Sequence, residues 1–225
     1  MSRYGDAAKS FGQKSEKESN FDKFFPCLFE RISAHDFRAR IFLEADMAEE
    51  RILMDAAAIG RTLTRLSHEV VEKNKGTDGL CLLGVKRRGE IVAKRVCALI
   101  KKSYGAEIPC AGIDIGMYRD DLVSGYFVPD AEANRPGFAI DGKKVVLCDD
   151  VLHTGRTVRA AIEAIFDLGR PASVRLLVLV DRGGRQMPVC ADLVGKNIPT
   201  SSSEFIDVRF EEIEGEDSLG IRRAE

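Results

Sequence analysis

Short unbroken apolar runs alternate along this chain with stretches in which apolar residues return every three or four positions. The runs at 80–85, 108–115, 145–148 and 174–180 predict strands buried on both faces. Ile59, Leu63, Leu66 and Val70 form one stripe at helical spacing, with Arg61, Thr64, Arg65 and His68 opposite. Val92, Val96 and Leu99 form a second stripe, in a helix reaching about Lys102. Val158, Ala161, Ile162 and Ile165 form a third, in a helix that starts near Thr157. Asp55 is a fitting N-cap for the first helix, and Gly76, after Lys73 and Lys75, a fitting stop. The apolar pair Leu193-Val194 precedes GKNIPTS, and 206–210 predicts a terminal strand.

Alternating strands and helices imply right-handed crossovers and an α/β fold, with a mainly parallel sheet flanked by helices. Chemistry in such a sheet collects at the carboxyl ends of the strands. Each polar cluster does follow a strand: Lys86-Arg87-Arg88-Gly89, the segment from Tyr118, 149–157, and Asp181-Arg182-Gly183. The segment 118–138 carries Gly, Pro, Asp and Asn without periodicity, and a loop of that length inside a compact domain is more often functional than incidental. The expected organisation is an extension over 1–50 and one domain over 51–225. Residues 1 to about 20, rich in Ser, Lys, Glu and Gly, read as disordered. The aromatics of 21–50 suit a short helix packed on the body or on a partner.

Composition narrows the class. A net charge of −2 argues against a generic nucleic-acid coat while allowing a local basic face. No apolar run approaches the roughly 18 residues needed to span a membrane, and the polar first 25 residues do not read as a secretory signal. Six cysteines without a Cys-x-x-Cys pair read as reduced thiols in a cytoplasmic protein, and three scattered histidines give no metal cluster.

The most specific chemistry lies in VVLCDDVLHTGRT, 145–157. A buried strand delivers Asp149 and Asp150 to its end, and Thr154-Gly155-Arg156-Thr157 then turns into a helix. Free amides at a helix start, two threonine hydroxyls and a glycine that admits close approach make a phosphate cradle. Two carboxylates just ahead of it suit the vicinal hydroxyls of a ribose.

This segment resembles the phosphoribosyl-pyrophosphate (PRPP) motif of type I phosphoribosyltransferases, whose fold has a small hood and a flexible loop. The resemblance implies that Asp149 and Asp150 hold the ribose, directly and through a Mg²⁺ ion bridged by pyrophosphate and water. It implies that Thr154, Gly155, Arg156 and Thr157 grip the 5-phosphate, with Val151, Leu152 and His153 leading into the turn. Lys86, Arg87, Arg88 and Gly89 suit the pyrophosphate, Arg88 joining Asp149 and Asp150 in catalysis. Tyr118 and Arg119 belong to the loop that closes over PRPP. In purine-using members an Asp stands beside the base where this chain has His153, which disfavours a purine. Asp181, Arg182, Gly183 and Val194 are placed to read uracil.

Five blocks, LTRLSHEVVEKNKG, LLGVKRRGEIVAKR, IDIGMYRDDL, DDVLHTGRTVRAAIEAIFDLGRP and VLVDRGGRQMPVCADLVGKNIPTS, are similar in order to one subgroup. These are the bacterial pyrimidine-operon attenuation regulators, which also convert uracil and PRPP to UMP. The subgroup implies a cytoplasmic homodimer or higher homo-oligomer in which UMP or UTP promotes binding of leader RNA. Thr64, His68, Arg185 and Lys196 match its RNA face. The alternatives are a purine enzyme without an RNA role and a catalytically weak nucleotide sensor that binds RNA. Arg87 stands where the family usually has Thr, Cys190 where it commonly has Arg, and 1–50 has no counterpart in it.

Overall fold

The computed structural model describes residues 51–119 and 135–223. The expected N-terminal extension and most of the 118–138 loop lie outside these residues. After a first strand, β1 (Arg51–Asp55), come β2 (Leu80–Val85), β3 (Cys110–Ile113), β4 (Lys144–Leu152), β5 (Ser173–Asp181) and β6 (Leu193–Asn197). The last five form one parallel sheet in the order β3-β2-β4-β5-β6. Helices α1 (Ala56–Asn74), α2 (Arg88–Tyr104) and α3 (Arg156–Leu168) cover it.

Strand periodicity divides the core. Leu80 and Leu82 of β2, Val146 and Cys148 of β4, and Leu177 and Leu179 of β5 pack with α1 and α2. Their neighbours Cys81, Leu83, Val85, Val145, Leu147 and Val178 pack with α3 on the other face. The predicted stripe Ile59, Leu63, Leu66 and Val70 is buried throughout. Asp55 caps α1, its Oδ1 accepting from the Ala58 N–H at 2.7 Å. The helix ends where Lys75 turns left-handed (φ 59°) and the Gly76 N–H bonds the Val71 carbonyl.

Two strands differ from expectation. β3 is shorter than 108–115, because Pro109 has no N–H for the ladder and the Asp114 carboxylate takes the Gly116 N–H into a 3₁₀ turn, Gly116–Tyr118. β4 is longer than 145–148, so Asp149 and Asp150 lie inside the strand. Its pairing with β5 continues to Leu152–Asp181, whereas its pairing with β2 stops at Gly84–Cys148. β2 and β4 therefore part just before the acids. This is also where the strand order reverses, the place where an open α/β sheet forms its ligand crevice.

A second sheet is antiparallel. It joins β1 to β7 (Glu204–Arg209) and β8 (Ser218–Arg223) in the order β1-β8-β7. It forms the hood, with a short helix α4 (Glu211–Glu214) between β7 and β8. Sequence periodicity indicated only β7 of these elements. Arg95 of α2 ties the hood down: it pairs with Asp217 at 2.6 Å and with Glu212, and lies 4.9 Å over the buried Phe210 ring.

Candidate active site

Two cavities of about 400 Å³ each open at the carboxyl end of the parallel sheet and share Arg119, Asp149, Val151 and Thr157. The first is bounded by Val85, Lys86, Arg87, Arg88, Ile115, Asp150, Ile213 and Glu214. The second is bounded by Leu152, His153, Thr154, Gly155, Arg156 and Val158.

The second cavity is built around a backbone turn, with Arg119 and Arg156 also on its wall. Gly155 is the N-cap of α3 at φ 88°, a left-handed conformation that side chains rarely adopt. A Cβ there would come within 2.4 Å of Val189 Cγ2. No side chain caps this helix through the N-cap residue, and its first turn carries no acid. The start of this helix borders the cavity, a position suited to an anion. The Thr154 carbonyl accepts the Gln186 and Met187 N–H groups, both at 2.9 Å, and its hydroxyl accepts the Arg156 N–H at 3.3 Å. These bonds brace the turn from behind.

The first cavity presents charge. Lys86 and Arg87 are exposed on it, across a cis Lys86–Arg87 peptide bond, and Arg88 begins α2. Gly89 does not line it but lies beneath, where a Cβ would meet the Cys148 carbonyl oxygen at 2.4 Å. That close approach seats the start of α2 on β4.

Asp149 and Asp150 stand between the cavities. Asp149 is buried, and its Oδ1 accepts the Asp150 N–H at 3.0 Å; Asp150 Oδ1 accepts the Val151 N–H at 2.9 Å. Burial, with the charge of Asp150 adding to it, holds the Asp149 carboxyl well above the usual carboxylate range. Among the described residues no group of three or more His, Cys, Asp and Glu side chains is arranged to hold a metal ion. Two hard carboxylates without a protein cage match a cation that takes most of its oxygens from substrate and water.

The expected loop pair separates. Arg119 faces both cavities. Tyr118 lines neither: its hydroxyl donates to Asp167 at 2.7 Å and its carbonyl accepts from Arg159 at 2.6 Å, which packs it on α3. The hydrogen bond to Asp167, aided by burial, pushes the phenol up to about 12.

Next to His153 lie Asp181, Arg182 and Gly183, three of the four residues expected at the base. The Arg182 N–H bonds the Leu152 carbonyl at 2.9 Å, and its guanidinium donates to His153 Nδ1 at 3.1 Å. An arginine only donates, so Nδ1 accepts and the neutral ring carries its proton on Nε2. Burial, then the charges of Arg182 and Arg185, lower the His153 pKa. The Asp181 carboxylate accepts the Gly183 N–H at 2.9 Å and pairs with Arg185. Val194, expected with them, lies apart: it pairs with Val178, while Asp181 pairs with Asn197 three residues further along β6.

The residues matched to an RNA face divide. Thr64 and His68 lie on the side of α1 toward α2, Thr64 in a groove with Leu99 and His68 Nδ1 hydrogen-bonded to the Tyr104 hydroxyl at 2.8 Å. Arg65 instead donates to the Val194 and Gly195 carbonyls at 3.1 and 2.7 Å. That link sets α1 beside β6, which carries the exposed Lys196. Arg65, expected on a solvated face, is thus a cross-brace. Arg185 turns inward, its side chain 23% exposed, and bonds Asp181 and the His153 carbonyl, the latter at 2.8 Å. It reaches the site's frame rather than the α1 surface. Among the residues of the first cavity, Val85, Ile115, Ile213 and Glu214 were not expected. The last two come from the hood, and no local pattern marks them.

Residues 51–212 match the phosphoribosyl transferase domain family. The chain is 49% identical over 176 residues to the "Bifunctional protein PyrR" of Clostridioides difficile, covering 78% of this chain and 99% of that protein. It is 52% identical over 169 residues to the protein of the same name from Clostridium perfringens strain 13, covering 75% and 95%. A Thermus thermophilus protein of that name is 49% identical over 169 residues, covering 75% and 93%. Among solved structures, the hypoxanthine phosphoribosyltransferase of Trypanosoma cruzi superposes with a TM-score of 0.59 at 22% identity, covering 78% of this chain and 97% of that one. That likeness speaks to the fold alone.

Proposed function

The chain belongs to the phosphoribosyl transferase family, in the group of bifunctional PyrR proteins, and from that premise we propose how its pocket works. The protein is a uracil phosphoribosyltransferase, forming UMP and pyrophosphate from uracil and PRPP, and a regulator of pyrimidine attenuation. One observation carries the assignment of the pocket: two anion-suited cavities meet at a shared carboxylate wall.

PRPP carries a 5-phosphate at one end of its ribose and a pyrophosphate at the other. The Thr154–Thr157 turn takes the 5-phosphate, and Asp149 and Asp150 take the 2- and 3-hydroxyls. Lys86, Arg87 and Arg88 take the pyrophosphate. As the bond from C1 to pyrophosphate breaks, positive charge grows on the ring and negative charge on the leaving group. The Asp pair faces the first and the basic run faces the second. Asp149 and Asp150 would hold a Mg²⁺ ion here, which would supply further charge neutralisation at the pyrophosphate. Holding both ends of PRPP presents C1 to uracil N1. The edges of uracil are read from the Asp181–Gly183 turn. Neutral His153, locked by Arg182, shapes this end.

Uridine nucleotide in the same pocket promotes binding of leader RNA at a face that includes Thr64, His68 and Lys196. Arg185, turned inward, fixes the Asp181–Gly183 turn at the pocket instead. A homo-oligomer in the cytoplasm is the setting for both roles. No helix among the described residues is long and apolar enough to cross a membrane.

The test is radiolabelled uracil with PRPP and Mg²⁺, beside hypoxanthine and orotate, followed by a leader-RNA gel shift with and without UMP. UMP from uracil alone and a UMP-dependent shift are expected. Product from hypoxanthine instead, or a shift indifferent to UMP, would sink the respective half of the reading.

A further inference from the structure

The first cavity contains a carboxylate that an anion site does not call for. Arg88 Nη2 donates to Glu214 Oε1 at 2.6 Å, while the other oxygen of Glu214 accepts the Phe210 N–H at 2.8 Å. Both side chains are largely covered, Glu214 at 23% exposure and Arg88 at 38%. Arg88 Nε is buried without a hydrogen-bond partner among the described residues. Burial by itself would raise Glu214, but the Phe210 N–H and the Arg88 guanidinium outweigh it and hold the carboxyl below its ordinary value. A fixed negative charge therefore stands among Lys86, Arg87, Arg88 and Arg119.

This pair is not what fastens the hood. Helix α4 is secured to α2 by Arg95, through Glu212 and Asp217, and by the Phe210 ring beneath that guanidinium. Glu214 points the other way, into the cavity.

We propose that Glu214 is a positioning residue for phosphoribosyl transfer: it holds Arg88 between turnovers and exchanges it for the pyrophosphate oxygens of PRPP. The proposal rests on the reading of this cavity as the pyrophosphate site. Pyrophosphate carries several charges against the single charge of a carboxylate, so it takes the guanidinium when it enters. Arg88 is free to reorient and offer its unpaired Nε. After transfer, Glu214 competes for Arg88 again and weakens the hold on the departing pyrophosphate. The exchange keeps the basic run from retaining its own product.

Glu214→Gln tests this, because the amide keeps an acceptor for the Phe210 N–H and removes only the charge. Product inhibition by pyrophosphate is measured together with KM for PRPP and for uracil. The expected result is a fall of about two- to five-fold in the pyrophosphate inhibition constant and in KM for PRPP, the size of a half-exposed ion pair, with KM for uracil unchanged. Glu212→Gln, on the same helix but facing Arg95, keeps wild-type values. Unchanged or weakened inhibition in E214Q overturns the exchange, and so does an equal shift in E212Q, which would report loosening of α4. Wild-type protein that neither forms UMP nor is inhibited by pyrophosphate overturns the reading of the cavity itself.

Discussion

The two cavities that meet at Asp149 are suited to anions by opposite means. The one at the start of α3 uses main-chain amides, neutral hydroxyls and a glycine at φ 88°, all within a few residues of one another. The one at the start of α2 uses side-chain charge, and its opposite wall, Ile213 and Glu214, comes from more than a hundred residues away. A backbone cradle is fixed by its own fold, with Arg119 and Arg156 adding charge at its wall, so it holds its ligand through many turnovers. Mobile guanidiniums hold a highly charged group and are also able to release it. PRPP keeps its 5-phosphate and loses its pyrophosphate, and the two sites divide along that line.

The largest effect expected from breaking this arrangement is on the rigid side. Gly155→Ala forces a Cβ into the left-handed turn and against Val189, displacing the amides. A loss on the order of 10²-fold in kcat/KM should follow, persisting at high salt because the defect is geometric.

At the shared wall, Asp149→Asn separates function from stability. Replacing one of the two carboxyl oxygens that face the ribose with an amide donor should lower kcat/KM by about 10- to 100-fold. The same change should raise Tm by a few degrees at neutral pH. In the unfolded chain an aspartate ionises near 4, at about 3.9. Above that pH the unfolded chain releases a proton that folded Asp149 retains, so wild-type stability falls until the raised folded pKa is passed. The variant is spared that loss, and its advantage should vanish below about pH 4, where both forms are protonated. Thermal melts across this range check the sign.

The charged side should respond more gently. Arg87→Thr should raise KM for PRPP by about two- to five-fold, an effect that shrinks as salt is added. A response to salt equal to that of the Gly155 variant would erase the contrast between the cavities.

The smallest effect lies at the rim. Folded His153 has a lowered pKa, so as pH falls through the ordinary histidine value of about 6.5 the unfolded chain takes a proton that folded His153 refuses. Stability is lost across that interval. His153→Asn should flatten the decline in Tm on the acid side, and an unchanged slope would mean the ring is not held neutral by Arg182 and Arg185.

How much of this was legible in the chain follows the same division. The motif from Val145 to Thr157 is contiguous, and its strand, acids, turn and helix require only local geometry. The cradle could therefore be read from spacing. Even there the pattern ends β4 too early: two adjacent acids look like the end of a strand, and only pairing with β5 keeps them inside it. The roles of single cations were less legible, because a charge in a sequence does not say what it pairs with. Arg65 braces two β6 carbonyls, Arg185 faces Asp181, and Tyr118 turns to Asp167.

By itself the sequence determined the alternation of buried strands and amphipathic helices, because side-chain period and main-chain hydrogen bonding are local matters. It likewise determined the phosphate turn, whose donors belong to consecutive residues. Only the tertiary structure decided where β2 and β4 part, that both ends of the domain close into one hood, and that Glu214 meets Arg88. Those depend on which distant surfaces pack together, and burial then sets the charge and partner of each group they enclose.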